Sequence, residues 1–303
     1  MYNYIKWAFL LLLFAGPEVL AAQNAELHRS TVYIGILDDA REEMVNWKPG
    51  VAPDRVVRPA FEWTGRAWTA VNPHLFPGQV TWTVGFHGKN LGMIESRTNT
   101  SSAHYLTFVQ SIVTGSTAVP ALGAPSVEYA PLGMGPTKGR RPLVLVSRPD
   151  VSDPDAWTRD SGLSPAIESA VRTAFRRDFP HVARCKQEET VQRDWIFPDS
   201  ALHVLAAYAS NRGSYLVHLS LDAGDCGYVD DPNDPLSDPW YFLPAKGEAR
   251  RIGSFMTFLD AGDYNHEGRS ELIFMVEQPE DFEGFALFDA DLHRRASLMW
   301  SYH

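Results

Sequence analysis

The stretch Asp263-Tyr264-Asn265-His266-Glu267-Gly268-Arg269-Ser270-Glu271-Leu272-Ile273-Phe274-Met275-Val276 carries two signals in succession. The first is a run of oxygen side chains at positions 1, 3, 5 and 9 of a loop that begins at Asp263, with Gly at position 6. Alternate residues of a tightly curled loop can converge on one centre, and Gly268 permits a backbone reversal that bulkier residues resist. A hard cation such as Ca²⁺ takes about six to eight oxygens at roughly 2.3–2.6 Å. Three carboxylates and one amide oxygen suit Ca²⁺ better than a soft metal. The expected ligands are Asp263, Asn265, Glu267, the carbonyl of Arg269, and Glu271. Without a metal, the same residues read as an Asx-type turn that caps a strand. The second signal is Leu272 to Val276, a short apolar run that reads as a buried strand. An EF-hand is excluded twice: its position 12 needs a bidentate Glu, where this chain has Phe274, and the run that follows is a strand and not a helix.

An Asp-rich loop followed by Glu-Leu and a buried strand resembles the FG-GAP repeat, also called VCBS, of integrin-α-like proteins. The resemblance implies a β-propeller blade over about residues 256–303, with Ca²⁺ held by the loop. Gly284 to Phe288 and Ala296 to Tyr302 would supply further strands of that blade. Glu267 stands where the family carries Asp, and the chain has one good copy of the motif. Leu221–Asp225 and Leu259–Asp263 are identical pentapeptides, spaced close to one blade of about 40–45 residues.

Outward from the loop, the chain reads mainly as β. Gln79 to Phe86 alternates, with Val80, Trp82, Val84 and Phe86 on one face and Thr81, Thr83 and Gly85 on the other. His87-Gly88-Lys89-Asn90 offers a turn after it. Hairpins are expected around Thr64-Gly65-Arg66, Asn211-Arg212-Gly213 and Lys246-Gly247. One helix is expected over 165–178. Ser164 caps it, Pro165 opens it, and Ile167, Val171, Ala174 and Phe175 recur at helical spacing. The Pro- and Gly-rich stretch 118–138 is expected to separate an N-terminal β unit (22–138) from a C-terminal one (139–303), with a long surface excursion as the alternative. The expected fold is mainly β, β-propeller-like with one inserted helix; two packed β-sandwich-like units are the alternative architecture.

The N-terminus reads as a targeting segment. Lys6 precedes the apolar run Trp7 to Ala15, and small residues near Ala21 suit cleavage, so 1–21 is expected to be a signal peptide. The run is too short to span a bilayer comfortably, so no stable membrane span is expected after cleavage. The expected compartment is periplasmic or secreted. Cys185 and Cys226 are the two cysteines, and an oxidising compartment would close them into a disulfide. Two separate buried thiols are the alternative.

The 303 residues carry 27 Lys+Arg against 37 Asp+Glu, a net charge of −10, without a basic block, which argues against nucleic acid as a partner. There is no G-x-S-x-G elbow, no H-E-x-x-H and no dinucleotide fingerprint. Two weaker acidic stretches, Asp222 to Asp238 and Asp150/Asp153/Asp155, could hold a cation, but turns at the surface look the same. Trp47, Trp63, Trp68 and Trp82 could stack on sugars or fill β cores. Together these features predict an exported, non-catalytic binding or scaffold protein for an unknown protein or glycan ligand. The alternative is a secreted hydrolase acting on glycans or phosphoesters through a carboxylate pair.

Overall fold

The computed structural model describes residues 31–39, 55–98, 107–113, 119–121, 124, 129, 139–185, 191–224, 231–278 and 282–301. The N-terminal segment, Trp47, most of 118–138 and Cys226 lie outside the described residues.

The fold is mainly β with one α-helix. Its first part is a closed barrel of six antiparallel strands. In space these run β1 (Val32–Asp39), β7 (Leu143–Val146), β4 (Gln79–Phe86), β5 (Lys89–Thr98), β6 (Gln110–Ile112) and β2 (Arg55–Trp63), and β2 pairs back onto β1. The short β3 (Trp68–Ala70) forms a hairpin with the end of β2, turning at Gly65 with φ +82°. Trp82 fills the barrel. It is wholly buried, and its indole N–H donates to Ser96 Oγ at 2.7 Å. A Cβ on Gly35 would lie 3.1 Å from the Trp82 ring, so the small residue makes room for the large one.

The alternation expected for β4 holds through Trp82 and then breaks. A bulge falls between Val84 and Gly85, and Thr83 and Gly85 are buried on what was read as the polar face. The cause is the segment that follows β7: Thr83 Oγ1 donates to the Arg148 carbonyl at 2.6 Å, and Val151 packs on Gly85.

The second part comprises two stacked antiparallel meanders. The first is β11 (Leu202–Ala209), β12 (Tyr215–Leu221), β13 (Trp240–Leu243) and β14 (Arg250–Gly253), with β8 (Thr158–Arg159) added beside the end of β11. The second is β15 (Met256–Gly262), β16 (Glu271–Gln278), β17 (Phe282–Phe288) and β18 (Arg294–Ser301). A two-stranded ribbon joins β9 (Arg184–Cys185) to β10 (Val191–Gln192). The pentapeptide echo is not a structural repeat, because its first copy begins at the last residue of β12 and leaves the strand, whereas the second runs along the end of β15. Asp225 of the first copy lies outside the described residues.

The helix α1 (Pro165–Asp178) forms where expected. Ser164 Oγ accepts from the Ile167 N–H, and Phe179 ends it. Val171, Ala174 and Phe175 pack on Val217, Leu219 and Tyr241 of the first meander. The other face of that meander meets the second through Trp240, Phe258, Phe274 and Phe288. The second meander in turn covers the barrel wall with Ile273, Phe285 and Leu287 against Ile34, Ile36 and Val146. The layers are therefore helix, meander, meander, barrel. β16 lies between two apolar faces, which is why its apolar residues are continuous and not alternating.

Candidate metal loop and adjoining cleft

The loop between β15 and β16 is held by its own side chains. Asp263 Oδ2 accepts from the Gly268 N–H at 3.1 Å, which turns its carboxylate into the loop. Asn265 Oδ1 accepts from the Glu267 N–H at 3.0 Å, an Asx turn. His266 and Gly268 are left-handed, with φ of +65° and +76°. Nothing lies within 4 Å of a Cβ on Gly268, so glycine is needed there for backbone conformation and not for space. Glu271, at the start of β16, reaches back across the loop's base. Its Oε2 accepts from the Tyr264 N–H at 2.8 Å and its Oε1 from the Trp68 indole at 3.4 Å.

The five expected ligands divide into two groups. Asp263 and Glu271 are both buried, and they lie close enough for the Asp263 charge to act on Glu271. Burial, reinforced by that charge, pushes the Glu271 carboxyl up to about 7. Asp263 Oδ1 is buried without a hydrogen-bond partner. The remaining residues face outward: Glu267 is exposed, Asn265 is half-buried, and the Arg269 guanidinium turns away to Asp155 and Asp291. Among the described residues, no group of three or more His, Cys, Asp or Glu side chains is gathered as a metal cage. The donor chemistry at the buried end nonetheless fits a hard cation, because a buried carboxylate oxygen with no donor is costly unless a positive charge meets it.

A second acidic motif, read separately in the sequence, packs against this loop. His266 Nε2 lies 2.9 Å from Asp150, Ser270 Oγ donates to Asp153 at 2.5 Å, and the Ser270 N–H reaches Asp155 at 3.3 Å. The Asp263 N–H donates to the Ser152 carbonyl at 2.8 Å, and Arg148 donates to the Asp263 carbonyl. Asp155, 2% exposed, accepts from both Arg212 and Arg269. These aspartates therefore hold the loop in position. No local pattern in the sequence marks a further carboxylate, Asp260, which is buried at a β15 bulge. It accepts from the His87 N–H at 2.9 Å, and burial lifts it to about 7.

The stretch 222–238 differs. Asp222, Asp231 and Asp234 each accept from a backbone N–H two residues on, which is ordinary turn chemistry. Asp225, Cys226 and Asp230 lie outside the described residues. Cys185 donates its N–H to the Ala223 carbonyl at 2.9 Å, so the chain runs beside Cys185 just before Cys226.

Beside the loop lies a cleft of about 510 Å³ between the β2–β3 hairpin, the loop and the β17–β18 turn. Trp63, Arg66 and Trp68 line it from the barrel, Asn265 to Glu271 from the loop, and Asp289 to Arg295 from the turn. Asp289 accepts from the His293 N–H and the Arg295 guanidinium, which outweigh its partial burial and hold its carboxyl below the ordinary range.

No helix among the described residues is long and apolar enough to cross a membrane. No protein-family model matches this chain, and neither does any curated protein or solved structure.

Proposed function

We propose that the protein is an exported binding or scaffold protein whose 263–271 loop takes up Ca²⁺. The observation that carries this reading is Asp263 Oδ1, buried and without a donor beside a second buried carboxyl, Glu271. Asp263 and Glu271 would supply the buried ligands, with Asn265 Oδ1, Glu267 and the Arg269 carbonyl completing the set from the rim. The ion would neutralise the buried charge and tie the second meander to the 148–157 segment and the barrel. An ion bound only by the folded chain adds about 2.7 kcal/mol at a hundred times its Kd. Urea unfolding of the mature protein at roughly millimolar Ca²⁺ should therefore have a higher midpoint than in EDTA. Asp263→Ala should erase the difference. An identical midpoint with and without Ca²⁺ in the wild type would overturn the metal reading.

Export follows from the N-terminal segment, and with it the Cys185–Cys226 bridge. The hydrogen bond between Cys185 and Ala223 supports the pairing. In the chain-entropy model, a loop of about 40 residues is worth roughly 3–4 kcal/mol. A blade-like reading of the second meander is supported by its four consecutive strands, which follow one another in space as they do in sequence.

The rival reading is a hydrolase acting on glycans. What favours it is that the Glu271 and Asp289 carboxyls line one cleft beside two tryptophans. Release of reducing ends that is abolished by both Glu271→Gln and Asp289→Asn would establish it; its absence favours the binding protein.

A further inference from the structure

We infer that the cleft between the β2–β3 hairpin and the metal loop binds a saccharide. This rests on the binding function proposed above, but not on the metal. The wall from the barrel side is aromatic and rigid. Trp68 is 6% exposed, sits in the core between barrel and meander, and is tethered to Glu271 through its indole N–H. Trp63 leans on it, with ring centroids 5.4 Å apart and planes tilted by 44°. Trp63 itself is only half-buried and lines the cleft. It thus offers a flat apolar surface that loses little freedom when a ligand covers it.

The rest of the lining is planar and polar. The Asn265 amide, the Arg269 guanidinium and the Asp291 carboxylate line the same space, and exposed Arg66 stands at the hairpin with no ion pair among the described residues. A pyranose ring joins the two chemistries such a space can satisfy. Its C–H face packs on an indole, and its neighbouring hydroxyls both donate and accept, so they pair with carboxylate, amide and guanidinium alike. Arg269 and Asp291 already meet each other, but a purely apolar ligand would cover the Arg66 guanidinium and the Asn265 amide N–H groups without offering them a partner. A polyanion would meet the carboxylates of Glu267, Asp289 and Asp291 in the same cleft. The volume lies within the usual range of small-ligand sites, about 300–1,000 Å³.

The test uses the full mature chain and soluble oligosaccharides of glucose, N-acetylglucosamine, xylose and galactose, all of them uncharged. Binding is followed by tryptophan fluorescence and calorimetry, in Ca²⁺ and in EDTA. At least one series should bind saturably, with a change in tryptophan emission. Trp63→Ala should weaken binding by about tenfold or more. Arg66→Ala, at an exposed position where it does not threaten folding, should weaken it by a smaller factor. Failure of every series to bind, or binding that both variants leave unchanged, would overturn the inference. Saccharide binding that depends on Trp63 but appears without any Ca²⁺ uptake would retire the metal reading and keep the cleft. Ca²⁺ uptake with no saccharide binding would do the reverse.

Discussion

The acidic stretch 231–238 and the acidic segment 260–271 look similar in composition and have opposite surroundings. In the first, Asp231 is exposed, Asp234 is half-buried, and both close turns on their own backbone. In the second, Asp260, Asp263 and Glu271 are buried between sheets, and one carboxylate oxygen has no donor at all. Acid density alone therefore does not identify a cation site. The proposed cation site rests instead on burial together with a carboxylate oxygen that no donor meets, an arrangement that raises the folded state's energy.

Substitutions should separate the two stretches, and the largest effect should come from Asp155. Replacing it by Ala removes a buried carboxylate from half-exposed Arg212 and Arg269 and leaves the buried Ser270 N–H unmet, so urea unfolding should register a loss of about 1–3 kcal/mol. A loss below about 1 kcal/mol would mean that the 148–157 segment does not hold the loop.

Next in size is the pH response of Asp260. Its folded carboxyl is pushed up to about 7, well above its unfolded value, so the folded state favours the protonated form. Stability from this group is full below the unfolded value, about 4, and falls as pH rises toward 7, with a slope approaching about 1.4 kcal/mol per pH unit. Asp260→Asn should flatten that part of the profile, and it should be more stable than wild type at pH 8 but not at pH 4. Asp289 has the opposite sign. Its carboxyl is held below the ordinary range, so the stability it supplies is present at neutral pH and disappears on acidification through its lowered folded value. Asp289→Asn should thus be harmful at pH 7 and neutral at low pH, as measured by thermal melts across the range.

The smallest effects belong to the solvated stretch. Asp231→Ala and Asp234→Ala each remove one turn-closing bond and should cost no more than about 1 kcal/mol by the same unfolding assay. Neither should alter any response to Ca²⁺.

The parts of the fold that were legible in the sequence are those set by neighbours along the chain. The helix was legible from Ser164, Pro165 and its apolar spacing, and the hairpins from Gly65, Gly213 and Gly247. The alternation in β4 was legible as far as Trp82, after which a segment more than 60 residues away buries Thr83 and Gly85. Closure of the barrel was not legible, because β7 joins β1 and β4 from beyond the Pro-rich stretch. The same limit applies to the site. The self-closing loop could be read from the spacing of Asp263, Asn265 and Gly268. That Trp68 would touch Glu271, or that Asp153 and Asp155 would clasp Ser270, depends on layer packing that no local pattern encodes. Two acidic motifs that seemed to be rival candidates in the sequence are one structural unit.

Terbium luminescence tests the central claim most directly, because Tb³⁺ takes oxygen sites like those of Ca²⁺ and is sensitised by a nearby indole such as Trp68. Sensitised emission should saturate at one ion per chain, be displaced by Ca²⁺ and be absent in Asp263→Ala. No sensitised emission from the wild type, or full emission from the variant, would contradict it.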